Sequence, residues 1–501
     1  MRVVIRTDAS PQIGTGHLAR CQSLADMLQR RGADVTFICR HLTDGARERL
    51  AASGHEVRLI AGDGATDELP HSRWLGGAQD VDAAATRKII AGRPVDWLVV
   101  DHYALDQRWE CLLRDAVARI MVIDDLADRN HDCDLLVDQN LHEDMAERYD
   151  GRVPARARRM LGPRHALLRP EFAALRGRRR DGSVRRVLVF FGGVDAGNQT
   201  GRVLRLMPSA LPAGTAVDAV IGAAHPHRAD IVALCQRLGY ACHVQTPRMG
   251  ELMAAADLAI GAGGTAIWER CCVGLPAVCW ALAENQRSQV DAAARLGLLH
   301  APARIGTDDA ALAMQIAALC DSPGWLQAMA AAGGAQVDGA GVARVCRAMG
   351  CSGVELRRAT AADSERLFGW RNREAVRRVS RNSAPIERAA HEHWLAATLA
   401  RDDRCLLVGE RDGQALGVVR FDIDGDAAEV SIYLAPGEHG AGAGGDLLAA
   451  AERWLLRNLP RRVCTLLAEV ADDNAPSRQM FVSAGYRADA TCYLKRIQPD
   501  E

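Results

Sequence analysis

The stretch at residues 2–21, RVVIRTDASPQIGTGHLARC, decides the fold of the first part of the chain. Its apolar run at residues 2–6 predicts a buried first strand. A loop with two glycines follows, and an amphipathic helix begins near His17. Glycine lets the backbone approach a bound group, and a helix start offers unpaired N–H groups with a partial positive charge. The stretch therefore predicts a strand, a ligand-binding loop and a helix that begins with a titratable histidine.

A second polar segment follows another apolar run. Residues 97–100 predict a strand, and Asp101, His102 and Tyr103 come at its end. Ligands of open parallel sheets bind at the edge where the carboxyl ends of the strands meet. We therefore expect these three side chains at the same sheet edge as the His17 loop.

Four segments together carry a resemblance to one family. They are the His17 stretch, the Asp101 segment, Ile123-Asp124-Asp125-Leu126, and LGPRHALLRP at residues 161–170. They resemble the UDP-sugar hydrolase of pseudaminic acid biosynthesis, which releases 2,4-diacetamido-2,4,6-trideoxy-L-altrose from its UDP conjugate. The resemblance covers about residues 1–345.

This resemblance implies a reaction and roles for site residues. Water attacks C1 of the sugar and UDP leaves, with His17 as the general base that activates the water. Asp8 is expected to orient or charge-stabilise the imidazole of His17. The sugar-binding residues are then expected to be Asp101, His102 and Tyr103. For Asp8 and His102, hydrogen bonding within their own loops is the alternative.

Strands and helices alternate through the first two thirds of the chain. Apolar runs near residues 2–6, 34–39, 56–60, 97–100 and 120–123 predict one parallel sheet, and a second alternating unit begins at Arg185. The Arg-rich segment 176–182 between them is interpreted as a solvated linker, with a polyanion site as the alternative. Two such units facing each other form the GT-B arrangement of many UDP-sugar enzymes. We expect two Rossmann-like domains, at residues 1–165 and 184–345.

The second unit carries the nucleotide-binding pattern, DLAIGAGGTAIWE at residues 257–269. A strand ends in glycines and a helix follows, so backbone N–H groups can hold a diphosphate. The segment resembles UDP-binding glycosyltransferases such as the lipid II-forming enzyme, and tight glycine packing is the alternative. The residues expected to bind substrate are Gly261, Gly263, Gly264, Thr265, Glu269 (through ribose hydroxyls), Asn285 and Gln286. A helix cap explains Asn285 equally well.

The sequence starts again after about residue 353. A strand near residues 354–360, three antiparallel strands between residues 405 and 434, the loop HGAGAGGD at 439–446, the segment NAPSRQMF at 474–481 and Ala484-Gly485-Tyr486 follow in order. Together they resemble the GNAT acetyltransferases over residues 354–496. The resemblance implies acetyl-CoA as cosubstrate, with its pyrophosphate on the amides of the glycine loop. The residues expected to bind it are His439, Gly440, Gly442, Gly444, Asn474 and Ser477.

Two positions depart from the usual GNAT pattern. The loop opens with His439 instead of Arg or Gln, and Phe481 stands where many relatives have a tyrosine that protonates the leaving thiolate. A phenyl ring cannot donate a proton, which leaves Ser477, Tyr486 or water for that step. Glu429 is the suggested base, acting directly or through water, and a surface role for this carboxylate is the alternative.

Composition limits the class of protein. The chain has 501 residues and a net charge of −1, which argues against nucleic acid or an anionic membrane as the main partner. No apolar stretch approaches the roughly 20 residues that span a bilayer, so we expect a cytoplasmic enzyme. Fifteen cysteines without a C-x-x-C pair predict reduced thiols. No acidic cluster with metal-ligand spacing stands out, and no metal is expected.

The fusion itself suggests the function. In the pseudaminic acid pathway, an acetyltransferase modifies the 4-amino group of a UDP-linked amino sugar, and hydrolysis comes next. We therefore expect a bifunctional enzyme that carries out both steps on a UDP-linked amino sugar for flagellin glycosylation. The alternatives are a UDP-sugar glycosyltransferase fused to a protein N-acetyltransferase, and a non-catalytic nucleotide-sugar sensor.

Overall fold

In the computed structural model, the described residues form three sheets in two compact units, Met1–Cys351 and Ser352–Glu501. The first unit holds two parallel sheets, and the second holds one mixed sheet. The structure describes residues 1–10, 12–62, 64, 66–178, 180–302, 308–378, 380, 382–411, 414–438, 442–459, 465–471, 474–489 and 492–497.

The first sheet has seven parallel strands in the order β3-β2-β1-β4-β5-β6-β7. Its strands are β1 (Arg2–Thr7), β2 (Asp34–Cys39), β3 (Glu56–Leu59), β4 (Trp97–Asp101), β5 (Ile120–Ile123), β6 (Leu135–Asp138) and β7 (Arg158–Leu161). The helices along this part of the chain are α1 (Gly16–Arg30), α2 (Asp44–Ala52), α3 (Gln79–Ile90), α4 (Gln107–Leu113) and α5 (Pro170–Ala174).

The second sheet has five parallel strands in the order β10-β9-β8-β11-β12. They are β8 (Arg186–Phe190), β9 (Ala216–Ile221), β10 (Ala241–Val244), β11 (Leu258–Ala262) and β12 (Ala277–Trp280). The helices are α6 (Gln199–Ala210), α7 (Arg228–Leu238), α8 (Met249–Ala255), α9 (Ala266–Cys272), α10 (Arg287–Arg295), α11 (Asp309–Cys320), α12 (Pro323–Gln336) and α13 (Gly341–Ala348).

Helix α13 returns to the first sheet. Its residues Val342, Val345 and Cys346 are buried in the same core as Leu24 of α1. The indole N–H of Trp97 also donates to the carbonyl oxygen of Met349 at 2.9 Å. The chain therefore crosses between the two sheets twice, and residues up to 351 belong to the first unit.

The Arg-rich segment between the sheets is held against the second sheet's helices. The guanidinium of Arg180 donates to backbone carbonyls, including those of Ala256 at 3.0 Å and of Val273 and Gly274 at 2.7 Å. Arg176 donates to the carbonyl of Gly334 at 3.0 Å. These arginines satisfy carbonyls that the ends of α8, α9 and α12 leave unpaired, which a solvated linker would not do.

The second unit is built on a seven-stranded sheet in the order β13-β14-β15-β16-β17-β19-β18. Its strands are β13 (Val354–Arg358), β14 (Arg404–Arg411), β15 (Gln414–Asp424), β16 (Ala427–Leu434), β17 (Thr465–Glu469), β18 (Arg487–Asp489) and β19 (Cys492–Arg496). Its helices are α14 (Ser364–Arg371), α15 (Glu374–Arg378), α16 (Arg388–Leu399), α17 (Ala443–Asn458) and α18 (Ala475–Ser483). Neighbouring strands are antiparallel except β16 and β17, which are parallel.

Two parallel sheets followed by a mixed α/β unit confirm the predicted fold class. The five predicted strands of the first sheet are present. Strands β6 and β7 are absent from the sequence prediction, because β6 has only three apolar residues, between Asp134 and Asp138, and β7 begins with two arginines.

Alternation along the central strands positions the first site. Val99 of β4 lies in the core shared with α1, whereas Val4 of β1 and Val100 of β4 lie in the core on the α3 and α4 side. Successive side chains of a strand point to opposite faces. Successive residues at the end of each of these strands therefore send their side chains to different helices.

Candidate active sites

His17 lies beside Asp101 at the carboxyl edge of the first sheet. Strands β1 and β4 are parallel neighbours, and Thr7 is paired in register with Asp101. Asp101 continues the α1 face of β4, and its Oδ1 atom lies 2.6 Å from Nδ1 of His17, at the start of α1. The histidine and the carboxylate at the end of β4 therefore form a hydrogen-bonded pair at the predicted edge.

Arg20 completes this pair. It lies one helical turn after His17, and its Nε and Nη2 atoms each donate to the Asp101 carboxylate at 2.7 Å. Burial of Asp101 raises its pKa, but the charges of Arg20 and His17 outweigh burial and hold that pKa well below its ordinary value. An ionised Asp101 accepts the Nδ1 proton of His17. This leaves Nε2 as the basic nitrogen of the ring.

Asp8 does not have the role expected of it next to His17, and Asp101 takes that place. The Asp8 carboxylate accepts a bond from Arg6 at 2.8 Å and one from the backbone N–H of Arg40 at 2.6 Å. Its other oxygen lies 3.2 Å from Nε2 of His102. Alternation explains the difference, because Arg6 and Asp8 continue the α3 face of β1, whereas His17 is on α1.

The group around Asp8 is a buried charge network. Arg6 also donates to Asp82 of α3 at 2.8 Å, and neither side chain is exposed to solvent. Burial raises the pKa of Asp8, but Arg6 and His102 outweigh it and hold the pKa well below its usual range. For His102, burial is the largest effect and lowers the pKa. His102 thus contacts Asp8 and not the His17 ring.

Aromatic rings form one wall beside His17. The ring of Tyr103 lies edge-on to the imidazole of His17, with centroids 4.5 Å apart. It stacks on Trp74 at 5.7 Å and lies 5.3 Å from His71. His71 and Trp74 come from the connection between β3 and α3, and nothing in their local pattern marked them. They reach His17 only because that connection packs against the sheet edge.

The glycines after β11 have different structural reasons. A Cβ atom on Gly261 would lie 2.0 Å from the carbonyl oxygen of Phe190, and one on Gly263 would lie 2.1 Å from Val290. These two glycines are required by packing against β8 and α10. At Gly264 the nearest atom to such a Cβ would be the side-chain nitrogen of Gln286, at 3.7 Å. Gly264 is therefore the position in this loop with room beside it.

The remaining predicted nucleotide residues surround this loop. Thr265 precedes α9, and Glu269 lies in its first turn. Burial raises the pKa of Glu269, and Arg169 and Arg270 oppose that rise. Gln286 accepts a bond from the backbone N–H of Leu282 at 2.9 Å. Asn285 is exposed in a short 3-10 turn, and the position before α10 belongs to Gln286, so the structure does not show Asn285 as the cap of that helix.

A wedge between two strands marks the candidate site of the second unit. The parallel pairing of β16 and β17 covers three residue pairs and ends at Glu429 and Leu467. Strand β16 continues to Leu434, so the two strands separate beyond Glu429. Glu429 therefore stands where the sheet opens, which fits a group placed to act on a molecule bound in the wedge.

Helices α17 and α18 begin near this opening. Gly442 precedes α17 with φ +77°, a backbone conformation that favours glycine. A Cβ atom on Gly444 would meet the sulfur of Met480 at 2.8 Å. Asn474 caps α18 by accepting a bond from the backbone N–H of Ser477 at 3.2 Å. His439 and Gly440 lie outside the described residues.

Tyr486 is engaged in the core of the second unit. Its hydroxyl donates to Glu452 at 3.0 Å, and its ring is buried against Phe481 with centroids 4.9 Å apart. Burial and the Glu452 charge raise its pKa. A buried hydroxyl bound to a carboxylate is poorly placed to protonate a thiolate, so of the predicted donors Ser477 and water remain.

Among the described residues no group of three or more His, Cys, Asp or Glu side chains has the arrangement of a metal site. In the same part of the chain, no helix is long and apolar enough to cross a membrane.

The comparisons place a known class of domain at the end of the chain. Residues 354–487 match the model of the acetyltransferase (GNAT) domain. The chain therefore carries a GNAT acetyltransferase domain, in agreement with the mixed sheet described above.

The N-terminal part is similar to a nucleotide-sugar enzyme. It is 28% identical over 173 residues to the UDP-2,4-diacetamido-2,4,6-trideoxy-beta-L-altropyranose hydrolase of Campylobacter jejuni, a match that covers 34% of this chain and 53% of that protein. The chain is also 21% identical over 300 residues to the protein MJ1062 of Methanocaldococcus jannaschii, a match that covers 58% of each. The chain thus spans about half the length of the curated relatives it matches.

Comparison with solved structures gives matches to parts of the chain. MurG of Acinetobacter baumannii matches 70% of this chain and 99% of its own, with 13% identity and a TM-score of 0.48. The aminoglycoside acetyltransferase AAC(6')-Ib in complex with coenzyme A and kanamycin matches 28% of this chain and 94% of its own, with 21% identity and a TM-score of 0.26.

Proposed function

We propose that this protein catalyses two successive reactions on one UDP-linked amino sugar of pseudaminic acid biosynthesis. The second unit transfers an acetyl group from acetyl-CoA to the 4-amino group of the sugar. The first unit hydrolyses the resulting UDP-2,4-diacetamido-2,4,6-trideoxy-β-L-altrose to UDP and the free sugar. The observation that carries the hydrolase proposal is the pair formed by His17 and Asp101 at the sheet edge, 2.6 Å apart.

The hydrolytic step follows from this pair. Asp101 holds the Nδ1 proton, so Nε2 of His17 accepts a proton from the attacking water. The water oxygen forms a bond to C1 of the sugar, and the bond between C1 and the diphosphate oxygen breaks. The electron pair of that bond leaves with UDP. The backbone at Gly264 and Thr265 stabilises the departing diphosphate, and Glu269 binds the ribose hydroxyls.

The acetyl transfer uses the wedge in the second unit. Coenzyme A lies between β16 and β17, with its pyrophosphate on the amides that lead into α17. The sugar's amine attacks the thioester carbonyl, and Glu429 takes the amine proton directly or through a water. The bond between carbonyl carbon and sulfur then breaks. The thiolate is protonated by water or Ser477, because Phe481 has no proton to donate.

Hydrolysis in ¹⁸O-labelled water tests the proposal for the first unit. The protein is incubated with the diacetamido UDP-sugar, and the released UDP is analysed by mass spectrometry. Attack at C1 predicts UDP without label, whereas attack at phosphorus would place the label in UDP. Release of UDP only when an acceptor alcohol is added would contradict a hydrolase and favour a glycosyltransferase.

A further inference from the structure

A chain of hydrogen bonds, part-buried around Asn140 and Asp125 and buried at His17, joins His17 to the helix that follows the second sheet's glycine loop. The indole N–H of Trp268, in the first turn of α9, donates to Oδ1 of Asn140 at 3.0 Å. Nδ2 of Asn140 donates to Oδ2 of Asp125 at 3.2 Å. Asn140 follows β6 of the first sheet, so this contact connects the two sheets of the first unit.

Asp125 continues the chain toward His17. Its Oδ2 atom also accepts from Nη1 of Arg20 at 2.8 Å, and its Oδ1 atom accepts from the hydroxyl of Tyr103 at 2.5 Å. The remaining nitrogens of the Arg20 fork hold Asp101, which in turn binds His17. The carboxylate of Asp125 thus receives its donors from the His17 site on one side and from Asn140 on the other.

The chemistry of the partners leaves one orientation for the Asn140 amide. An indole N–H can only donate, and an ionised carboxylate can only accept. The amide oxygen must therefore face Trp268 and the amide nitrogen must face Asp125. Trp268 is fully buried and Arg20 is 4% exposed, whereas Asn140 and Asp125 between them are partly exposed. At the two buried ends of the chain, water replaces a lost partner poorly and an unpaired group is costly.

We propose that Trp268 and Asn140 are positioning residues, through which a nucleoside diphosphate bound beside α9 sets the orientation of the His17 ring. This inference rests on the proposed function of the first unit. Trp268 lies three residues after Thr265 and next to Glu269, so a ligand held by those two residues fixes the first turn of α9. The indole then holds Asn140, and Arg20 is held between Asp125 and Asp101 in the geometry that aligns His17.

The variant Trp268→Phe removes the first link and keeps most of the apolar ring. The amide oxygen of Asn140 then has no donor, and its amide nitrogen no longer holds Asp125 in place. We expect the hydrogen bonds of Arg20 to Asp125 and Asp101 to change as a result. We expect kcat to fall by about 10-fold, because a small displacement of a catalytic group strongly reduces the rate of the chemical step. KM for the UDP-sugar should change by less than about 2-fold, because Trp268 itself does not touch the ligand.

A matched control removes an indole N–H elsewhere. Trp97 is 4% exposed and donates to the carbonyl of Met349 at 2.9 Å, at the end of β4 away from Asp101. Trp97→Phe leaves one buried carbonyl without its donor, much as Trp268→Phe leaves the oxygen of Asn140. A loss of kcat in both variants would show a general effect of packing and overturn the inference.

The direct test measures the His17 ring without turnover. Histidine side chains are labelled with ¹⁵N, and the His17 signals are identified by their loss in His17→Asn. UDP is then added to the wild type, Trp268→Phe, Asn140→Ala and Trp97→Phe, and its affinity for each is measured by calorimetry. We expect UDP to shift the His17 signals in the wild type and in Trp97→Phe, and to leave them unchanged in the other two variants although UDP binds.

The outcomes separate this inference from the proposed function. Bound UDP that leaves the His17 signals unmoved in the wild type, or moves them equally in all four proteins, overturns the coupling while hydrolysis stands. Failure of UDP to bind the wild type overturns both proposals. A wild type that binds UDP and shows the expected shifts, but does not hydrolyse the UDP-sugar, overturns the reaction and retains the coupling.

Discussion

At the scale of single residues, the first unit depends on which face of a strand a side chain occupies. Asp101 and His102 are neighbours in sequence, yet one contacts His17 and the other Asp8. The same alternation separates Asp8 from His17. Asp101 and Arg20 on the α1 face thus hold the histidine, and the motif alone does not show which carboxylate does so.

His17→Asn should reduce hydrolysis of the diacetamido UDP-sugar by about 100-fold or more, because an amide cannot accept the proton of the attacking water. UDP binding measured by calorimetry should persist, since the residues proposed to bind the nucleotide belong to the loops and helices of the second sheet. His55→Asn is the matched control, because His55 forms a similar pair with Asp26 at 2.7 Å in the same unit. Near-normal turnover in His17→Asn would remove the histidine from the mechanism.

Residue roles were predictable only in part from sequence. His17 and Asp101 stand at strand and helix ends, where pattern and edge geometry already indicate a site. Asp8 was misplaced because the face of a residue just beyond a strand depends on the strand's exact end. The sequence around His71 and Trp74 shows no periodic pattern. Their side chains form a wall of the site only because the tertiary fold places their loop there.

At the scale of elements, the glycines of the loop after β11 fall into two groups: Gly261 and Gly263 are required by packing, and Gly264 has room beside it for a ligand. Gly263→Ala should destabilise the first unit by ~1–3 kcal/mol, because its Cβ would overlap Val290 of α10. Gly264→Ala should leave the melting temperature nearly unchanged and weaken UDP binding. Thermal unfolding and calorimetry on both variants check this. Equal destabilisation by the two changes would contradict the distinction.

Asp138, at the carboxyl end of β6, predicts that the stability of the first unit depends on pH. Burial, followed by the charge of Asp125, raises the pKa of Asp138 to about 7. Between pH 4 and 7 the folded state therefore holds a proton that the unfolded chain has released, and this contribution to stability is lost as pH rises through 7. Asp138→Asn cannot ionise, so the variant does not lose this contribution to stability as the pH rises. Its melting temperature relative to the wild type should be higher at pH 8 than at pH 5, and a constant difference would contradict the assignment.

Element prediction succeeded for strands built around a buried apolar run. Strand β1 contains Val3, Val4 and Ile5 in succession, and β4 is apolar up to Asp101, as is typical of parallel strands covered on both faces. Strand β6 offers only three apolar residues, between Asp134 and Asp138, which is a weak signal for a strand. Gly261 and Gly263 look like a phosphate loop in sequence, and only the neighbouring backbone shows that packing requires them.

At the scale of the whole molecule, the boundary at residue 351 predicts how the chain can be divided. A fragment ending at Cys351 keeps the bond from Arg31 to the Cys351 carbonyl, at 2.8 Å, and the packing of α13 on α1. We expect it to fold and hydrolyse the UDP-sugar, while residues 352–501 bind acetyl-CoA. A fragment ending at residue 345 should melt at lower temperature, because Cys346 and Met349 leave the core. If the fragments 1–351 and 352–501 were both insoluble, the two units would not fold independently, which would contradict this prediction.

The central claim is that one chain carries two consecutive steps, and product analysis tests it most directly. Purified protein is given the UDP-linked 4-amino sugar with and without acetyl-CoA, and all products are followed by mass spectrometry. A site selective for the 4-acetamido group would leave a charged 4-ammonium without its partners. The account predicts an acetylated UDP-sugar, then UDP and the free diacetamido sugar, only when acetyl-CoA is present. Equal UDP release without acetyl-CoA, or no acetylation of the sugar, would contradict it.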